Sequence, residues 1–116
     1  MATTRSIRNS PGLLFTGAIG AGAQVETDCF VPPQGCQGLK FRIKSDQAGQ
    51  ATILRADALG TEAIESGPTA VVAGTELSLT VADPMATPHF ARLTNSGGVA
   101  TTAGLTSIEV SQLGAS

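Results

Sequence analysis

Two stretches of the chain alternate strictly between apolar and polar residues. Leu39, Phe41 and Ile43 interleave with Lys40, Arg42 and Lys44, and Leu77, Leu79 and Val81 interleave with Glu76, Ser78 and Thr80. A period of two sends successive side chains to opposite faces, so both stretches read as half-buried strands, the first with a cationic outer face. Weaker alternation marks four more. Val25, Thr27 and Cys29 alternate with Glu26 and Asp28; Ala51, Ile53 and Arg55 with Thr52, Leu54 and Ala56; Phe90, Arg92 and Thr94 with Ala91 and Leu93; Leu105, Ser107 and Glu109 with Thr106, Ile108 and Val110. A further short strand is predicted over residues 69–72. Turn residues separate these runs at 45–49, 57–60, 66–68 and 95–98. A helix over residues 51–65 competes, because Ala, Leu, Arg and Glu are good helix formers. Gly60 and the β-branched Thr52, Ile53 and Thr61 favour a hairpin that Ile64 continues.

Seven or eight strands spaced about ten residues apart predict an all-β fold, an antiparallel β-sandwich of jelly-roll-like form. Its expected core is Val25, Leu39, Phe41, Ile43, Ile53, Leu77, Leu79, Val81, Phe90, Leu93, Ile108 and Val110. The sandwich is expected over residues 24–116, with residues 1–23 as an extended N-terminal arm. Residues 1–10 are polar, Pro11 and Gly12 break the chain, and Gly17, Gly20 and Gly22 make the following segment flexible in isolation. Within the arm, Arg5, Ile7 and Arg8 precede the apolar cluster Leu13, Leu14 and Phe15, which a flexible segment would not leave in water. These six residues are the expected contacts to a neighbouring subunit or a larger assembly, the arginines meeting acidic groups there. The competing expectation is that this segment folds back as an edge strand on its own sandwich.

The chain has 116 residues, sized for one domain, and 27 of them are Val, Ile, Leu or Phe, so the core is modest. Only 14% are charged, well below the usual ~25%. A surface built from the 17 Ala, 14 Gly and 14 Thr can meet a partner at little desolvation cost. There is no Trp or Tyr, and four Phe must also fill the core. That argues against stacking platforms for sugars or single-stranded nucleic acid. Seven basic and nine acidic residues, net −2, give no footprint for a phosphate backbone. No nucleic-acid partner is expected. No apolar run approaches ~18 residues, so no membrane span is expected, and the first eight residues lack the apolar stretch of a secretory signal.

Catalytic chemistry is sparse, and neither an enzyme nor a cofactor is expected. His89, the single histidine, reads as a strand-end residue with its ring partly solvated. Cys29 and Cys36 are separated by six residues and could be buried thiols, a cross-hairpin disulfide or, with His89, an incomplete metal set. Asp28, Asp46, Asp57 and Asp83 are scattered and mostly sit where turns are expected, rather than in a calcium loop. Gly17, Gly20 and Gly22 do not follow a predicted strand and open no helix, so they are no dinucleotide loop.

The order of these elements carries a resemblance. A strand studded with Lys40, Arg42 and Lys44 is followed by a turn at Asp46–Gly49 and a hairpin around Asp57–Gly60. Ala73 and Gly74 then lead into the strand Leu77–Val81, and Phe90–Asn95 precedes a glycine turn. Over about residues 24–111 this resembles small β-sandwich virion proteins of tailed phages, in particular capsid decoration (cement) proteins and related tail modules. The resemblance implies a non-enzymatic virion protein on the capsid surface, made in the host cytoplasm. Its implied partners are the major capsid protein and itself, as a homo-oligomer, most simply a trimer. The alternative is a carbohydrate-binding or adhesive β-sandwich module, for example on a tail or fibre.

Overall fold

The alternating segments are strands in the structure, a computed structural model that describes residues 10–33, 35–56, 62–82 and 87–113, with the backbone of 7–8. The strands are β1 (Ile7–Arg8), β2 (Gly12–Thr16), β3 (Gln24–Glu26), β4 (Cys29–Phe30), β5 (Gly38–Lys44), β6 (Gly49–Ala56), β7 (Glu62–Val71), β8 (Leu77–Ala82), β9 (His89–Asn95) and β10 (Ser107–Leu113). A 3₁₀ turn spans Ala103–Leu105. A larger sheet runs β1-β4-β9-β6-β7, with β3 also on β9, and a smaller one runs β2-β10-β5-β8. Pairing is nested: β6 with β7, β5 with β8, β3 and β4 with β9, and β2 with β10. Leaving aside β1, which runs parallel to β4, the outermost pair is β2 with β10 and each next pair lies inside it, the winding of a jelly roll. The expected sandwich is therefore the fold. The turn at 57–60 and most of the loop 83–88 lie outside the described residues.

Between the sheets, Leu39, Phe41, Ile43, Leu79, Val81, Ile108 and Val110 of the smaller sheet meet Phe30, Ala51, Ile53, Val71, Ala91 and Leu93 of the larger. Ten of the twelve expected core residues are buried; Val25 and Leu77 are half-buried at its margin. Phe90 is buried elsewhere. It pairs with Leu54 in register, on the opposite side of the sheet from Ala91 and Leu93, and packs with Cys29 in a second cluster on the outer face. Residues three apart on a strand cannot share a face, which separates Phe90 from Leu93.

Three local expectations are corrected. The strand expected over residues 25–29 is split into β3 and β4. Buried Thr27 exchanges bonds with Ala91, its Oγ accepting from Ala91 N at 3.0 Å and its own N–H reaching Ala91 O at 2.9 Å. The break expected at 66–68 is absorbed into β7, where a bulge falls opposite residues 51–53. Gly67 adopts φ +100° there, and a methyl group on it would lie 2.6 Å from Ala51 O. Pro68 is tolerated because β7 is an edge strand. Lastly, residues 12–23 belong to the sandwich rather than to a free arm. β2 pairs with β10, and a bulge between Ile108 and Glu109 lets both Leu14 and Phe15 turn toward the core. Ile19 is also buried. The competing edge-strand expectation describes β2.

Candidate interaction surface

The outer face of the smaller sheet gathers the chain's row of alternating cations. Strand β5 contributes Lys40, Arg42 and Lys44, because Leu39, Phe41 and Ile43 between them are buried. Register sets each cation's neighbours. Lys40 lies between Thr80 of β8 and Ser111 of β10, Arg42 between Ser78 and Glu109, and Lys44 beside Ser107, with exposed Glu76 one residue before β8 next in line to it. Arg42 pairs with Glu109, Nη2 lying 3.2 and 3.3 Å from the two carboxylate oxygens. Neither Lys40 nor Lys44 has a carboxylate partner among the described residues. The larger sheet holds more acid. There Glu26 and Glu62 share Arg92 at 2.6 and 3.2 Å, and Arg55 meets Glu65 at 3.1 Å. The outer face of β5 thus carries a row of three cations, the middle one paired with Glu109, while Glu76 and Asp46 stand near its Lys44 end.

Past Lys44 this face runs into a recess of about 270 Å³ lined by Lys44, Ser45, Asp46, Gly74, Gly104, Leu105 and Ser107. Its walls are fixed by hydrogen bonds. Asp46 accepts from Thr102 N at 2.8 Å and from Thr102 Oγ1 at 2.6 Å, and these bonds hold its carboxyl below the usual range. Gly74 N donates to Ser45 O at 2.8 Å. Behind them lies Asn95, 1% exposed. Its Nδ2 donates to Ile19 O, Gly20 O and Val99 O, and its Oδ1 accepts from Gly97 N. Thr101 completes the lock, its Oγ1 accepting from Ile19 N at 2.8 Å while its N donates to Ile19 O. The glycine-rich segment 17–23, flexible on sequence grounds, is clamped at this end of the sandwich. Loops 17–23 and 96–106 carry no charged residue, and Val72, Val99 and Leu105 are 62, 59 and 60% exposed.

The six residues expected to make contacts are not gathered into one patch. Arg5 lies outside the described residues, and the backbone of Ile7 and Arg8 runs parallel to β4. Leu13 is exposed beside Glu109, Leu14 is buried and Phe15 packs on the core. The cationic outer face that the Lys40–Lys44 alternation predicts is present on β5. Sequence reading missed the recess, whose walls come from segments far apart in the chain.

His89 is buried rather than partly solvated, 1% exposed, with Nδ1 2.6 Å from Thr87 O. A neutral ring with its proton on Nδ1 donates that bond. Burial chiefly pushes the imidazole below its usual 6.5; the bond to Thr87 and the charge of Glu65 act the other way, and Arg55 adds to the lowering. The unfolded chain therefore binds the proton more readily. This contribution to stability is complete above about pH 6.5 and is lost as pH falls below it. Thermal melts across that window are expected to show a falling midpoint on acidification, and a shallower fall in His89→Gln. Equal slopes would remove His89 as the cause. No disulfide joins Cys29 to Cys36, and Cys36 Sγ donates to Gly38 O at 3.1 Å.

No protein-family model matches the chain, and no curated protein sequence is significantly similar to it.

Proposed function

We propose that the protein is a non-enzymatic structural module of a tailed-phage virion, a decoration protein that binds the head and stabilises it. The observation that carries this reading is the commitment of its polar groups to architecture. His89 holds Thr87, Asp46 holds Thr102, Asn95 ties two loops together, and Glu26, Glu62, Glu65 and Glu109 sit in ion pairs. What this leaves for function is surface: the outer face of the smaller sheet with its row of cations, and a loop end with exposed Val72, Val99 and Leu105. Such surfaces suit docking onto another protein.

Two further points support the virion setting. The order of strands and turns resembles that of decoration proteins, and jelly rolls recur in viral shells, although a fold by itself does not assign a role. A trimer fits the modest core and the exposed aliphatic residues, since self-association adds burial. The carbohydrate-binding alternative is disfavoured by the aromatics. Phe30, Phe41 and Phe90 are fully buried and Phe15 packs on the core, so no ring is free to stack on a sugar.

The reading is tested by density-gradient isolation of particles from cells expressing the chain from its own gene. Mass spectrometry is expected to find the chain in the particle band, in amounts comparable to the shell subunit. Recovery only from the soluble fraction overturns the reading.

A further inference from the structure

We propose that the outer face of the smaller sheet, together with the recess beside Lys44, is the docking site for an extended acidic segment of a partner protein. Carboxylates four residues apart on that segment meet Lys40 and Lys44, and an apolar side chain beyond them enters the recess over Leu105. The proposal deepens the docking role above by naming the surface and the chemistry of what it takes.

The spacing comes from the strand. Alternate residues of β5 are about 6.7 Å apart, so Lys40 and Lys44 stand about 13 Å apart. An extended segment crossing the face has the same repeat, and its first, third and fifth side chains fall over Lys40, Arg42 and Lys44 in turn. The middle position differs from the outer two. Arg42 is already neutralised by Glu109, so a neutral polar residue fits there and a third acid would face the Glu109 carboxylate. This pattern selects against a uniform polyanion. A nucleic-acid backbone places a charge at every step and would set one against Glu109. The flanking Ser78, Thr80, Ser107 and Ser111 offer hydroxyls to a polar segment without steric bulk. Beyond Lys44, Leu105 is 60% exposed and lines the recess together with Gly104. Loops tied by Asp46 and Thr102 keep the recess open, so little ordering opposes entry.

The test uses the full chain, isotopically labelled, and a seven-residue peptide with glutamates at positions one and five, leucine at seven and threonine elsewhere. Titration followed by NMR is expected to shift the amides of residues 40–44, 78–80 and 104–111 and the Leu105 methyls. The double variant Lys40→Gln/Lys44→Gln is expected to bind about tenfold more weakly, and Leu105→Ser also more weakly. Among the described residues neither lysine has an acid within ion-pair distance, so the double variant should melt with the parent; circular dichroism checks this. Absence of shifts, shifts confined to other surfaces, or undiminished binding by the double variant overturns the proposal. So does tighter binding of oligothymidylate than of the peptide, which would make the face a nucleic-acid site. A chain that occurs in particles yet ignores the peptide loses this inference and keeps the decoration role. A chain that binds the peptide and is absent from particles does the reverse.

Discussion

Replacing Asn95 by Ala is expected to lower the unfolding free energy by about 3 kcal/mol and to release one end of the sandwich. The substitution removes an amide whose two Nδ2 hydrogens are shared among Ile19 O, Gly20 O and Val99 O and whose Oδ1 accepts from Gly97 N, at a buried position. The loss is not the sum of four bonds. Ile19 O retains Thr101 N, and Gly20 O retains Ala23 N. Val99 O and Gly97 N, both only part-buried, lose the partner that held them, and each such bond contributes about 1 kcal/mol where water can take its place. The small void left by the carboxamide adds to this. Urea denaturation checks the magnitude, and hydrogen exchange checks the location. Amides of segments 17–23 and 96–102 should lose protection before those of β5 and β9. An unchanged midpoint would mean that the loops are held by Thr101 and the core residue Ile19 alone.

Phe41→Ala is expected to cost more, about 4 kcal/mol, within the usual range for deleting a buried phenyl ring. Phe41 is fully buried on β5, with Leu79 of β8 and Val110 of β10 as its lateral neighbours. Strands on both sides fix the backbone, so the sheet cannot collapse into the space. In a small domain whose total stability is about 5–15 kcal/mol, that is a large fraction. The denaturation midpoint should fall sharply at an unchanged m-value. A loss below about 1 kcal/mol would mean that the sheets close over the gap, contrary to a core held between two fixed layers.

The smaller sheet was legible because its strands face water on one side and the core on the other. Leu39–Lys44 and Leu77–Val81 declare that geometry residue by residue. Ends and edges were not legible. Ile19 sits among glycines with no periodic neighbour, and it is buried only because Thr101 and Asn95, more than 75 residues away, bond its backbone. Pro68 reads as a terminator, yet an edge strand carries it without losing an inward bond. A similar long-range constraint acts at Gly49, where a methyl group would strike the Thr94 carbonyl of β9; local sequence shows only a turn glycine. His89 had the signature of a strand start, which it is, but burial at that point depends on Phe30 across the pair and on Thr87. Of the proposed docking site, the cation row was visible as a pattern. That Glu109 cancels only its middle member required the register of β10.

The most direct measurement is sedimentation of the purified full chain with phage heads assembled without it, at increasing concentration. A decoration protein is expected to pellet saturably, at a fixed ratio to the shell subunit, and to raise the temperature at which the heads rupture. A chain that stays in the supernatant at every concentration, with rupture unchanged, contradicts the account.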